Sequence, residues 1–175
     1  HYPLRRQRQM CIRDRQYVDF DIIDESFDSN YLGSKFENYK KLGAKQKGAV
    51  SERLLTSILT GLGHNVTDPL NTDHDRIVDG IKTEMKTATI IKDTPEKLSF
   101  LQIRPAQDVD TYLMTAVLPN DIESYWVEKK TILDLIEKGE IKPQHGGKAG
   151  NSGTFCWYPT LTNLKKVGKK VGSSI

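Results

Sequence analysis

The stretch NTDHDRIVDGIKTEMKTATI, Asn71 to Ile90, sets three aspartates and a glutamate into a segment that otherwise alternates like two β-strands. Asp79-Gly80 is a favoured two-residue hairpin signal. A turn there pairs Val78 with Ile81 and, counting back, Asp75 with Glu84. Cross-strand partners on one face hold their Cβ atoms roughly 4.5–5.5 Å apart, near enough for two carboxylates to share a cation. Lys86, two residues on, shares that face. Two acids and a lysine brought together on a sheet are costly unless they serve a site. The bland alternative is a surface ion-pair ladder, which contributes little.

The rest of the chain fits one domain around this hairpin. A length of 175 residues suits a single core. With 37% hydrophobic and 28% charged residues it reads as a soluble globular protein. The longest apolar run, YLMTAVL, is too short to span a bilayer, and no signal-peptide pattern is visible. Two cysteines, Cys11 and Cys156, imply no disulfide framework, so a cytoplasmic setting is expected. The net charge of +3 owes much to residues 1–15, HYPLRRQRQMCIRDR, which hold five of the eight arginines. That segment lacks apolar periodicity and resembles translated adapter sequence. It is set aside as adapter-derived or disordered, a native basic arm being the alternative, and residues 16–175 are taken as the domain.

Upstream of the hairpin, SNYLGSKFENYKKLG reads as a short helix. GAVSERLLTSILTGLG reads as an amphipathic one, with Val50, Leu54, Ile58 and Leu62 at four-residue spacing and Leu55 and Leu59 widening the stripe. Glu52 lies near its first turn, where the helix dipole favours an acid in any case. Downstream, Thr111 to Leu118 is nearly continuous in apolar residues, as in a strand covered on both faces. SYWVEK suggests a further strand and TILDLIEKG a short helix. The last 35 residues hold six lysines and no acid, and read as a solvated tail. His64, His74 and His145 show no zinc-like spacing, and GGKAGNSG lacks the form of a phosphate-binding P-loop.

Asp75 with EMK, preceded by an amphipathic helix and followed by FLQIRPAQDVDTYLMTAVL, a Trp-bearing strand and QHGGKAGNSGTF, resembles the PD-(D/E)xK nuclease family, and within it the small restriction-endonuclease-like members. His74 stands where that motif has proline. The resemblance implies an α/β fold with a restriction-endonuclease-like central mixed β-sheet flanked by helices. It implies Mg2+ held by Asp75, Glu84 and the Met85 carbonyl, with Mn2+ substituting. Lys86 would activate the attacking water and stabilise charge on the phosphate, Glu52 would be an additional metal-side acid, and Gln102 the polar residue beside the lysine. Asp73 would support Lys86, and Asp79 is explained by its turn.

The implied activity is Mg2+-dependent hydrolysis of double-stranded DNA, expected as a type II restriction enzyme acting as a homodimer. The alternatives are a homing endonuclease, nickase or junction resolvase of the same fold, or a non-catalytic DNA-binding module. Lys142, Gln144, His145, Lys148, Asn151 and Ser152 suit a segment entering a DNA groove, where lysine reads guanine and Gln or Asn reads adenine. Arg104 and Gln107 are next in line for that role.

Overall fold

Asp79 and Gly80 both take positive φ, 52° and 84°, the two left-handed residues that a tight hairpin turn of the type I′ kind requires. The register follows: Val78 pairs with Ile81, Ile77 with Lys82 and Arg76 with Thr83. The structure, a computed structural model, describes residues 28–144 and 153–172. A 3-10 turn at Ser29–Tyr31 leads to helices α1 (Glu37–Lys41) and α2 (Ala44–Gly61). Strands β1 (Val66–Thr67), β2 (Arg76–Val78), β3 (Ile81–Ile91), β4 (Thr94–Leu98), β5 (Phe100–Ile103), β6 (Thr111–Val117) and β7 (Ile122–Glu128) follow. The chain then forms α3 (Lys129–Glu137), β8 (Ile141–Pro143), β9 (Phe155–Trp157), α4 (Leu161–Val167) and β10 (Lys169–Lys170).

The main sheet is mixed, ordered β1-β2-β3-β6-β7-β10, with β4 also on β3. β6 runs parallel to β3, Thr83 beside Thr111 through Thr89 beside Val117, and its other neighbour β7 is antiparallel. Tyr112 to Val117 are all buried, which is why that stretch reads as unbroken apolar sequence. Alternation along β3 sends Ala88 and Ile90 to one face, where they join Tyr112, Met114, Ile132 and Leu135 of α3, Leu164 of α4, and Phe100 and Trp157. Met85 goes to the other face and meets Leu55 and Leu59 of α2, with Val78 and Leu113. The protein is thus an α/β fold, a central mixed sheet with helices against both faces. A small sheet, β5-β9-β8, covers part of the first face.

Two expectations are corrected here. In α2 the buried line is Ser51, Leu55 and Leu59, whereas Leu54 and Leu62 are exposed. Tertiary contact chose a stripe about 100° round the helix from the one that spacing alone suggests. The basic tail is not merely solvated, since Trp157 and Leu164 are core residues and β10 pairs with β7. No helix among the described residues is long and apolar enough to cross a membrane.

Candidate functional site

β3 is longer than either strand that borders it on the β2 side. β2 pairs only with residues 81–83 and β4 only with residues 90 and 91. Between them β3 has a notch without a strand partner. Successive residues of a strand direct their backbone groups to alternate sides. Thr83 accepts from the Asp75 N–H at 3.1 Å and Thr89 accepts from Ser99 at 3.1 Å, so the carbonyl of Met85 and both backbone groups of Thr87 face the notch.

Asp75 occupies one end of it. The ladder stops one residue short, at Arg76, and Asp75 Oδ2 accepts the Met85 N–H at 2.7 Å, which pins the carboxylate to the edge of β3. Glu84, facing Tyr112 across the parallel pair, is only 5% exposed. Lys86 Nζ lies 2.6 Å from Glu84 Oε1. Burial raises the Glu84 carboxyl above its usual range and the charge of Asp75 adds to this, while Lys86 and Arg104 pull the other way. The Tyr112 hydroxyl is pushed up to about 12 by burial and by Glu84, and it donates to the Arg104 carbonyl at 3.3 Å. Asp75, Glu84, Lys86 and Arg104 therefore form one electrostatic unit.

The notch opens into a cleft of about 600 Å³ whose lining includes Lys86, Thr87, Ser99 and Gln102 together with Lys45 and Lys47 of α2. Gln102 has φ 55°, at an irregularity where the β5–β9 register shifts between Phe100 and Ile103. A bulge of this kind re-aims a side chain. The Gln102 N–H donates to Gln144 Oε1 at 2.8 Å, so Gln144, expected to read bases, spends its amide oxygen clamping this bend.

The structure does not bring Glu52 to the carboxylates. Its Oε1 lies 2.6 Å from the Arg76 guanidinium, which also donates to the Asp75 carbonyl at 2.6 Å. α2 covers the Met85 face, whereas Glu84 and Lys86 share the side of Ala88. This pairing also explains how Arg76 is tolerated on the Met85 face. Asp73 accepts no Lys86 pairing; its N–H bonds Asn71 Oδ1, and its charge acts on Lys82. Asp79, besides its turn, holds His64 Nδ1 at 2.6 Å and the Asn65 N–H at 2.8 Å. Gln107 turns Oε1 inward, buried without a partner among the described residues, which is not the posture of a base-reading amide. Lys142 is exposed on β8. His145, Lys148, Asn151 and Ser152 lie outside the described residues. Sequence reasoning overlooked Lys45 and Lys47, whose only signal was a KQK run at a helix start.

Among the described residues no three His, Cys, Asp or Glu side chains cluster tightly enough to hold a metal by themselves. The donors that do converge are two carboxylates and the Met85 carbonyl. These are all oxygens, suited to a hard cation that keeps several waters. A buried carboxyl held above its usual range beside a second carboxylate fits that role, with Lys86 as the resident substitute cation.

No protein-family model matches the chain, and no curated protein matches it. Among solved structures it is similar to a bacterial homing endonuclease, I-Ssp6803I, at 15% identity over 67% of this chain and 75% of that one, with a TM-score of 0.44. The overlap is too loose to transfer the role of any residue.

Proposed function

We propose that the protein is a Mg2+-dependent DNA endonuclease that hydrolyses phosphodiester bonds, with Mn2+ able to serve in place of Mg2+, and that it cuts specific sequences as a homodimer in the manner of a type II restriction enzyme. One observation carries the reading: Asp75 and Glu84 converge with Lys86 at a strand edge that opens into a cleft lined with lysines. Asp75, Glu84 and the Met85 carbonyl would hold the Mg2+. When bound, it supplies a Lewis acid for the phosphoryl oxygen and a lowered pKa for an attached water.

The remaining work falls to the chain. Lys86 is a compact, movable charge, and release from Glu84 leaves its ammonium free to donate to the attacking water and to a non-bridging phosphate oxygen. Arg104 faces the same phosphate and offsets its charge. Gln102, aimed into the cleft by its left-handed backbone, orients the water through its amide. Base reading is assigned to the segment 142–152, because only donors and acceptors at groove edges discriminate sequence. Glu52 stays a partner of Arg76 and is not required as a metal ligand.

The test is nicking of supercoiled plasmid and digestion of mixed genomic DNA in Mg2+, Mn2+ or EDTA, with the product ends sequenced. Cation-dependent cutting at one short motif, lost in Lys86→Ala, is the expected result. Binding without cutting in either cation would leave the non-catalytic DNA-binding module instead. Cutting that survives Lys86→Ala at the wild-type rate would move the chemistry elsewhere.

A further inference from the structure

One part of the cleft lining has no part in the chemistry above. It is the first turn of α2. With about 100° between successive residues, Ala44 and Gly48 lie on one line of the helix and both line the cleft, while Lys45 and Lys47 flank that line on either side and line it too. The wall is thus a smooth strip between two cationic arms. Among the described residues no carboxylate lines the cleft, and neither lysine makes an ion pair. Neighbouring Lys40 differs, because Asp28 lies 3.1 Å from its ammonium and Thr89 Oγ1 and the Ile90 carbonyl accept from it. Burial, and then the charge of Lys40, push the Lys47 ammonium below the usual lysine range. Two lysines on one cleft wall, one of them, Lys47, partly desolvated and close to Lys40, with no counter-ion among the described residues, describe a place for an anion. The Thr87 N–H, which faces the notch, adds a further donor to the cleft lining.

We propose that Lys45 and Lys47 grip the sugar-phosphate backbone of the DNA strand at a phosphate adjoining the one that is cut, with the backbone lying along the Ala44–Gly48 strip. This rests on the endonuclease reading, since it is Lys86 in the same cleft that makes the neighbouring phosphate the reacting one. The contact addresses phosphate alone, so it sets the position of the strand and is blind to sequence.

The experiment measures binding of a short labelled duplex of mixed sequence by fluorescence anisotropy, in EDTA so that nothing is cut, over a salt series. Each phosphate contact contributes about −0.9 to the slope of log K against log salt. Lys45→Ala and Lys47→Ala should each flatten the slope by about that amount and the double variant by about twice it, with Lys→Arg restoring it. Gly48→Leu is a second probe. A Cβ at Gly48 meets no atom within 4 Å, and leucine is the better helix former, so this variant should fold at least as stably yet bind DNA more weakly by filling the strip. An unchanged slope in the double lysine variant, or full-strength binding by Gly48→Leu, overturns the grip even if the wild type cuts DNA. A wild type that binds in EDTA but does not cut in Mg2+ or Mn2+ overturns the nuclease reading and leaves the slopes to decide the grip. One that does not bind in EDTA overturns the grip, and the nuclease reading then stands or falls on cutting in Mg2+ or Mn2+.

Discussion

Replacing Asp75 by Asn and by Ala separates the two roles of its carboxylate. Oδ2 accepts the Met85 N–H at 2.7 Å, and the bond is partly buried, so a water from the cleft replaces a lost acceptor only in part. A hydrogen bond to a charged group contributes about 1.5–3 kcal/mol. Against this loss, the charge of Asp75 helps burial to hold the Glu84 carboxyl up, and removing it relieves Glu84. Ala forfeits the bond and gains the relief, for a net cost of about 1–2 kcal/mol and a melting temperature lower by roughly 2–8 °C. Asn keeps an amide oxygen where Oδ2 was and gains the same relief, so it should melt at or above the wild-type temperature. Both should lose cleavage by at least about 100-fold, the scale of removing one electrostatic group from a transition state. Thermal unfolding in EDTA and plasmid nicking in Mg2+ read the two effects separately. Asp75→Asn nicking within tenfold of wild type would refute the assignment, and Ala as stable as Asn would refute the account of the Met85 bond.

Glu84 predicts a pH dependence. Its folded value lies above the ordinary 4.5, so its contribution to stability is complete below that pH and is lost as pH rises through the raised value; the stability difference between wild type and Glu84→Gln in EDTA should shift against the wild type across that window, and Mg2+ should reverse the shift. Gly168→Ala would set a Cβ 2.7 Å from the Tyr125 Cβ and 3.2 Å from the Leu164 carbonyl, which should cost about 1–3 kcal/mol in urea unfolding; a neutral result would mean that the α4–β7 contact gives way easily. Gln102→Gly removes the side chain from a left-handed position at φ 55°, so stability should stay within about 1 kcal/mol of wild type while nicking slows, and unchanged nicking would dismiss the Gln102 amide from the mechanism.

The central frame was legible because its signals are local. Asp-Gly with flanking alternation fixes a turn and, through it, which side chains lie together, so Asp75, Glu84 and Lys86 could be grouped from spacing. The buried strand β6 declares itself by lacking polar residues. What stayed hidden depends on contacts between distant segments. Nothing local tells whether Val50 and Leu54 or Ser51 and Leu55 face the sheet, yet that rotation decides where Glu52 points. Nor does the hairpin alone show what offsets Arg76 on the Met85 face, since its partner Glu52 comes from α2. Gln102 carries no mark of a left-handed backbone, since Gly and Asn are the residues that usually adopt it. The strands β9 and β10 are too short to show a period at all.

β6 reaches its parallel place beside β3 by a crossover made of β4 and β5 rather than of a helix. Parallel strands cannot zip from a tight turn, and pairing distant segments is the slow part of folding because the intervening chain must close first. A hairpin forms within microseconds, so the β2–β3 pairing that sets Asp75 near Glu84 needs no such closure. The closure that lets Leu113 and Met114 find the sheet is the same closure that carries Arg104 to Glu84 and Gln102 to the cleft beside Lys86. Completion of the core and completion of the site are thereby one kinetic event, and substitutions in the crossover are expected to slow folding and impair the cleft together.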